Sequence, residues 1–133
     1  MSEEHNRLIR EGYEAINQRD VDWLRSHTDP ELEFRSRFSG LAGRTYRGKH
    51  GFEAWLADTA ESWEAMEQTP ERLIELDDER TLVDVRFKAR GRGSGIEVDQ
   101  RLAVIFTFRG ETVVRMDAYG SMEEALEASA ASD

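Results

Sequence analysis

Three stretches in the second half of the chain alternate charged with apolar residues: "TLVDVRFKA" (81–89), "IEVDQRLAVIFTF" (96–108) and "TVVRMDAY" (112–119). They carry Asp84, Arg86, Asp99, Arg101 and Asp117. Carboxylates set beside arginines can activate a water or enolise a ketone, so this group is the first candidate for chemistry. Its role depends on strand register, because a slip of one residue turns every side chain to the opposite face. The apolar residues favour one register. Val83, Val85 and Phe87, then Val98, Gln100, Leu102, Val104, Phe106 and Phe108, then Val114, Met116 and Ala118 share the inner face. The charged residues, with Ala103, Ile105, Val113 and Tyr119, then lie outside. The opposite register exposes Val85, Phe87, Val104 and Phe106, each worth ~1.5–3 kcal/mol when fully buried. Ion pairs on the outer face are the expectation, and Asp117, Asp99 and Arg101 stay as candidates for catalysis only if the register slips.

Histidine is the side chain whose ordinary pKa suits acid–base work near neutrality. His5 lies in the first turn of the chain and is expected in solvent. His27 closes a short helix, where a cation near the C-terminal dipole is favourable. His50 stands where a loop meets a helix and is the fourth catalytic candidate. No histidine has metal-ligand spacing with another or with nearby carboxylates, so no metal site is expected. "GRTYRGKH" (43–50) nearly spells a phosphate-binding loop, with Gly43, Gly48 and Lys49 in place and His50 where a Ser or Thr belongs. That loop needs a buried strand before it and a hydroxyl to hold magnesium. Polar, glycine-broken "SRFSGLA" precedes it instead, and imidazole is a poor magnesium ligand. The glycines read as a sharp turn into the next helix.

The elements that must position these residues fit in 133 residues as one domain, 1–133, whose small-residue tail is expected to fray from about 129. A net charge of −10 argues against affinity for nucleic acid or anionic membrane. With no cysteine, thiolate metal sites and cysteine nucleophiles are excluded. A polar N-terminus and the lack of any long apolar run make a cytoplasmic protein the expectation. The spacing of Leu8, Ile9, Gly12, Tyr13 and Ile16 predicts a first helix, and Asp20 caps a short second one ended by Asp29-Pro30. "ELEFRSRF" alternates as a strand, 39–50 reads as irregular, and Phe52, Trp55, Leu56, Thr59, Trp63 and Met66 stripe a helix ended at Thr69-Pro70. From Arg72 to Tyr119 the chain reads as an antiparallel meander. Ser121 and Glu124 then make a capping box for a final helix. Helices segregated from the sheet give the class α+β.

"EGYEAINQRDVDWLRSHTDPELEF", "YRGKHGFEAWL" and "VVRMDAYGSMEEALEA" together resemble the SnoaL-like branch of the nuclear transport factor 2-like superfamily, over roughly Asn6 to Ala128. The resemblance implies a conical α+β fold in which a strongly curved sheet wraps the N-terminal helices around an apolar cavity, often in a homodimer. It also brings ketosteroid isomerases, polyketide cyclases and an epoxide hydrolase into view. The isomerase groups fall near Gly12, near Ser36 or Arg37, and at Val104, so none is matched. The hydrolase's last aspartate falls at Ala118, one position from Asp117.

The expectation is therefore a small-molecule-binding domain with no cofactor, dimeric through its outer sheet face. Its ligand would be a small, largely apolar molecule held by Tyr13, Trp23, Phe34, Trp55, Trp63, Phe87, Gln100, Val104, Phe106 and Met116. Gln100 and Tyr13 supply the polar contacts. An enzyme of cyclase, isomerase or epoxide hydrolase type and a structural dimerisation module are the alternatives.

Overall fold

The computed structural model describes residues 2–36, 44–48 and 50–131. Its elements run α1 (Ser2–Gln18), α2 (Val21–Ser26), β1 (Thr28–Ser36), β2 (Arg44–Arg47), α3 (Gly51–Ser62), β3 (Trp63–Glu75), β4 (Arg80–Gly91), β5 (Glu97–Arg109), β6 (Thr112–Tyr119) and α4 (Met122–Ala131). The strands form one mixed sheet in the order β2-β1-β6-β5-β4-β3. Every pair is antiparallel except β1 with β6, which run parallel. The class is α+β, and the sheet is open, with β2 and β3 as its edges.

Local chemistry sets the helix junctions. α1 ends where Arg19 enters the left-handed region at φ 57° and the Asp20 amide bonds back to the Ala15 carbonyl at 2.8 Å. Asp20 then caps α2 by accepting from the Trp23 amide at 3.1 Å. Gly48, at φ 84°, makes the left-handed turn between β2 and α3 that a glycine tolerates. The preceding β2 is an edge strand of a mixed sheet, not the buried parallel strand a phosphate loop requires. Gly43 and Lys49 lie outside the described residues. Ser121 caps α4 by accepting from the Glu124 amide at Oγ, while the Glu124 side chain accepts from the Gly120 amide, one residue before the expected capping-box partner.

Sheet curvature follows from α3. It packs against β2 and β1 and also against β3, at opposite edges. Its 12 residues span ~18 Å. Six flat strands would be ~24 Å across. The edges must therefore curl towards one another, and α1 closes the same side against β3.

The structure departs from the expected elements in five places. The third helix stops at Ser62, and Trp63 to Met66 belong to β3, whose ladder with β4 continues from Trp63 opposite Gly91 to Glu75 opposite Thr81. Pro70 does not end an element; it sits in β3 at a register shift, which an edge strand tolerates because it need not donate outward. Arg44–Arg47 is a strand rather than loop, paired with β1 from Glu33 opposite Arg47. A second shift, between Thr107 and Phe108, turns Val113 instead of Val114 into the interior cluster. Helix α4 runs to Ala131 with Ser129 buried, so the helix extends past residue 129.

Two apolar clusters result. The larger fills the space between the inner sheet face and α1–α3. A smaller one joins Leu82, Ala103, Ile105 and Ala125 beneath α4 on the outer face. Among the described residues no helix is long and apolar enough to cross a membrane.

Candidate functional site

Directly opposed residues of a sheet share a face, so the ladders fix which side chains point inward. β4 and β5 pair without a register shift from Arg80 opposite Thr107 to Arg90 opposite Glu97. Val83, Val85 and Phe87, and with them Leu102, Val104, Phe106 and Phe108, are buried inside. The slipped register is thereby excluded. Asp99 lies exposed on the outer face in a two-point pair with Arg86 at 2.9 and 2.7 Å. Arg101 is exposed too, bonded to Glu71 and 3.5 Å from Asp84. Asp117 is buried, but on the outer side, held by Arg115 at 2.7 Å and approached by Arg35 at 3.8 Å. His50 is 66% exposed at the start of α3, 3.3 Å from Glu53, which also pairs with Arg25 of α2. None of the four catalytic candidates lines the interior.

The interior surface is built from both layers. Tyr13 and Ile16 project from α1, Trp55 from α3, and Phe34, Ser36, Gln68, Phe87, Leu102, Val104, Met116 and Ala118 from the strands, around a space of about 20 Å³. That admits about one water. A second space, also about 20 Å³, lies towards α2, walled by Leu8, Gly12, Trp23, Leu24, His27, Phe52, Phe106 and Val113. Ile16 and Met116 belong to both walls. Aromatic rings pack the lining: Phe34 lies 5.3 Å from both Phe52 and Trp55, and Tyr13 meets Phe106 edge-on at 5.8 Å.

Of the ten residues expected to hold a ligand, Tyr13, Phe34, Trp55, Phe87, Val104 and Met116 line the first space, while Trp23 and Phe106 line the second. Trp63 lines neither; it packs edge-on behind Phe87 at 5.7 Å, and its buried Nε1 has no partner among the described residues. Gln100 is a correction. It faces inward by parity, opposite Phe87, but is exposed.

The amide that enters the interior is Gln68 of β3, which stands opposite Phe87 on its other side and is 5% exposed. Sequence reasoning missed it because "WEAMEQ" carries helical spacing. The signal available was Pro70, which marks an edge strand as readily as a helix end. Asn17 holds Gln68 in place: its Nδ2 donates to the Gln68 carbonyl at 2.8 Å and its Oδ1 accepts from the Gln68 amide at 2.9 Å. Ser36 accepts from Trp55 Nε1 at 3.1 Å. Tyr13 is 2% exposed, and its hydroxyl has no hydrogen-bond partner among the described residues. Burial alone pushes its phenol well above the ordinary tyrosine value.

The other two histidines pack on aromatic rings, and His27 also walls the second space. His5 is buried, not solvated: α1 begins at Ser2 and lays the ring 4.0 Å over Phe108, with Nε2 2.8 Å from the Gly110 carbonyl. His27 stacks on Trp23, and its Nδ1 donates to the Trp23 carbonyl at 2.8 Å. Among the described residues no three His, Asp or Glu side chains cluster as metal ligands would.

A family model described as the SnoaL-like domain matches residues 9–116. Comparison with curated proteins gave no significant sequence match. Among solved structures, TerC co-crystallised with polyporic acid superposes with a TM-score of 0.77 at 21% identity, covering 93% of this chain and 96% of that one. A protein of ketosteroid isomerase-like fold from Catenulispora acidiphila, in complex with trimethylamine, gives 0.75 at 15% identity over 90% and 89%. SalBIII, an epoxide hydrolase/cyclase-like enzyme in pyran ring formation in polyether salinomycin, gives 0.71 at 14% over 92% and 94%. At these identities the likeness speaks for the fold alone.

Proposed function

The chain belongs to the SnoaL-like domain family, and we propose that it binds a small, neutral, largely apolar molecule between the sheet and α1–α3. The observation that carries this reading is Tyr13: a residue 2% exposed whose hydroxyl has no hydrogen bond among the described residues, on a largely apolar wall. A buried hydroxyl left without a hydrogen bond is costly, and a ligand oxygen supplies the missing partner. Gln68 and Ser36 are the other polar groups of that wall. The lining around the first space holds no carboxylate and no histidine, which suits a neutral ligand. Two structural relatives, TerC with polyporic acid and the Catenulispora acidiphila protein with trimethylamine, hold small molecules.

One observation favours the alternative of a structural module: the interior is nearly full, with about 20 Å³ in each space. A ligand larger than water requires the walls to move. In either reading the surface proposed for a second copy is the outer sheet face. Ala103 and Ile105 are not part of it, since α4 already covers them.

Heat denaturation with cyclohexanone, cyclohexanol and cyclohexanecarboxylate tests the binding reading, because a ligand of the native state raises the melting temperature with its concentration. The two neutral compounds should stabilise and the carboxylate should not. Equal effects of all three, or none, would refute a neutral interior site.

A further inference from the structure

Met116 lies where the two interior spaces meet. It and Ile16 are the residues common to both linings, and they differ in mobility. Ile16 is branched at Cβ, so its side chain is stiff in a helix. Met116 is unbranched, with several rotatable bonds, and repacks at little cost. It is fixed at its backbone by Phe34 on one side and Phe106 on the other, as the Cα partner of both. Of the two side chains, its thioether is the one that can repack.

We propose that Met116 is the specificity-determining residue of the interior site, a movable partition whose displacement joins the two spaces into one elongated cavity. This rests on the binding function proposed above and says which molecules fit it. The compartments differ in chemistry. The first offers Tyr13 hydroxyl, Ser36 hydroxyl and the Gln68 amide; the second, though His27 and Thr28 border it, presents an almost wholly apolar surface from residues such as Leu8, Leu24, Phe52 and Val113. The ligand class is a neutral molecule with a carbonyl or hydroxyl oxygen at one end and an apolar ring or chain at the other, lying across the position the thioether vacates. Neither space alone, at about 20 Å³, holds such a molecule. The ligand's apparent affinity then includes the cost of moving Met116, and removing that cost tightens binding.

Calorimetric titration with benzylacetone tests the partition in the wild-type protein and in Met116→Ala, Met116→Ile and Met116→Leu. Benzylacetone is a neutral ketone with a phenyl ring at its far end. Affinity is expected to rise about tenfold in Met116→Ala, where the partition is gone, and to fall about tenfold in Met116→Ile, where it is stiff. Met116→Leu conserves volume and controls for the fold, which urea denaturation checks in all four chains. Butylbenzene, which lacks the oxygen, should bind more weakly than benzylacetone in Met116→Ala. Equal benzylacetone affinity in wild type, Met116→Ala and Met116→Ile overturns the partition while leaving the binding function standing. No binding by any folded chain overturns both.

Discussion

The side chain of Asn17, at the end of α1, closes a ring of two hydrogen bonds with the backbone of Gln68 on the edge strand β3, at 2.8 and 2.9 Å. It takes the place that a further strand would occupy, satisfying an edge amide and carbonyl that would otherwise face water. Because adjacent strand residues point to opposite faces, fixing this backbone also fixes the Gln68 side chain inward, beside Phe87 and the cavity.

Replacing Asn17 with Ala should therefore cost about 1–2 kcal/mol, the net worth of two partly buried bonds. It should also loosen one site in particular. Amide exchange at Gln68 should accelerate more than at Leu82 in the sheet centre. Uniform acceleration would mean that Asn17 only contributes to global stability.

Tyr13 separates packing from polarity. Its ring is enclosed, so Tyr13→Ala should cost about 3–5 kcal/mol, as other large-to-small core changes do. Its hydroxyl has no partner, so Tyr13→Phe should leave the urea midpoint unchanged or raise it. Retention of a neutral ligand should fall in Tyr13→Phe. A clear loss of stability in that variant would show that the hydroxyl is already satisfied in the free protein.

The same residue contributes to the alkaline limit. Burial raises the folded-state pKa of Tyr13 above its ordinary value of 10.0, so the native state favours the neutral phenol. The associated stability is fully present below pH 10 and is lost as pH climbs beyond it towards the folded pKa. Denaturation midpoints followed by phenolate absorbance should fall above that pH, and Tyr13→Phe should flatten the fall. An identical alkaline profile in the variant would contradict the assignment.

The charged residues should divide by burial and not by sequence type. Asp117 is 7% exposed and bonded twice to Arg115, so Asp117→Asn should destabilise by about 1–3 kcal/mol. Asp99→Asn and His50→Ala alter exposed pairs and should leave the melting temperature unchanged. All three should leave ligand retention intact, because they lie outside the cavity. Loss of retention in any of them would reopen an outer-face or rim site.

Period-two alternation was enough to read the inner faces of β4 and β5, since Val83, Val85 and Phe87 on one strand and Leu102, Val104 and Phe106 on the next leave only one register that buries them together. Trp63 and Met66 show where such reading fails. Both extend the helical stripe of α3, but the ladder to β4 overrides it, and nothing local to "WEAMEQ" announces a partner some twenty residues away. That failure hid Gln68. Val113 is a smaller case: one bulge, set by the turn at Gly110, exchanges it with Val114. The outer apolar residues Ala103 and Ile105 read as part of an open outer face because the sequence does not say where α4 will lie; the fold covers them itself.

The most direct measurement of the central claim is native mass spectrometry of the protein as purified, beside Tyr13→Phe and Met116→Ile. Wild-type chains should retain a neutral small molecule with at least one oxygen, and the variants, with the same subunit count, should show that mass diminished. A folded wild-type protein that carries no adduct and takes up none of the neutral probes would contradict it, leaving a SnoaL-like domain with a solid core.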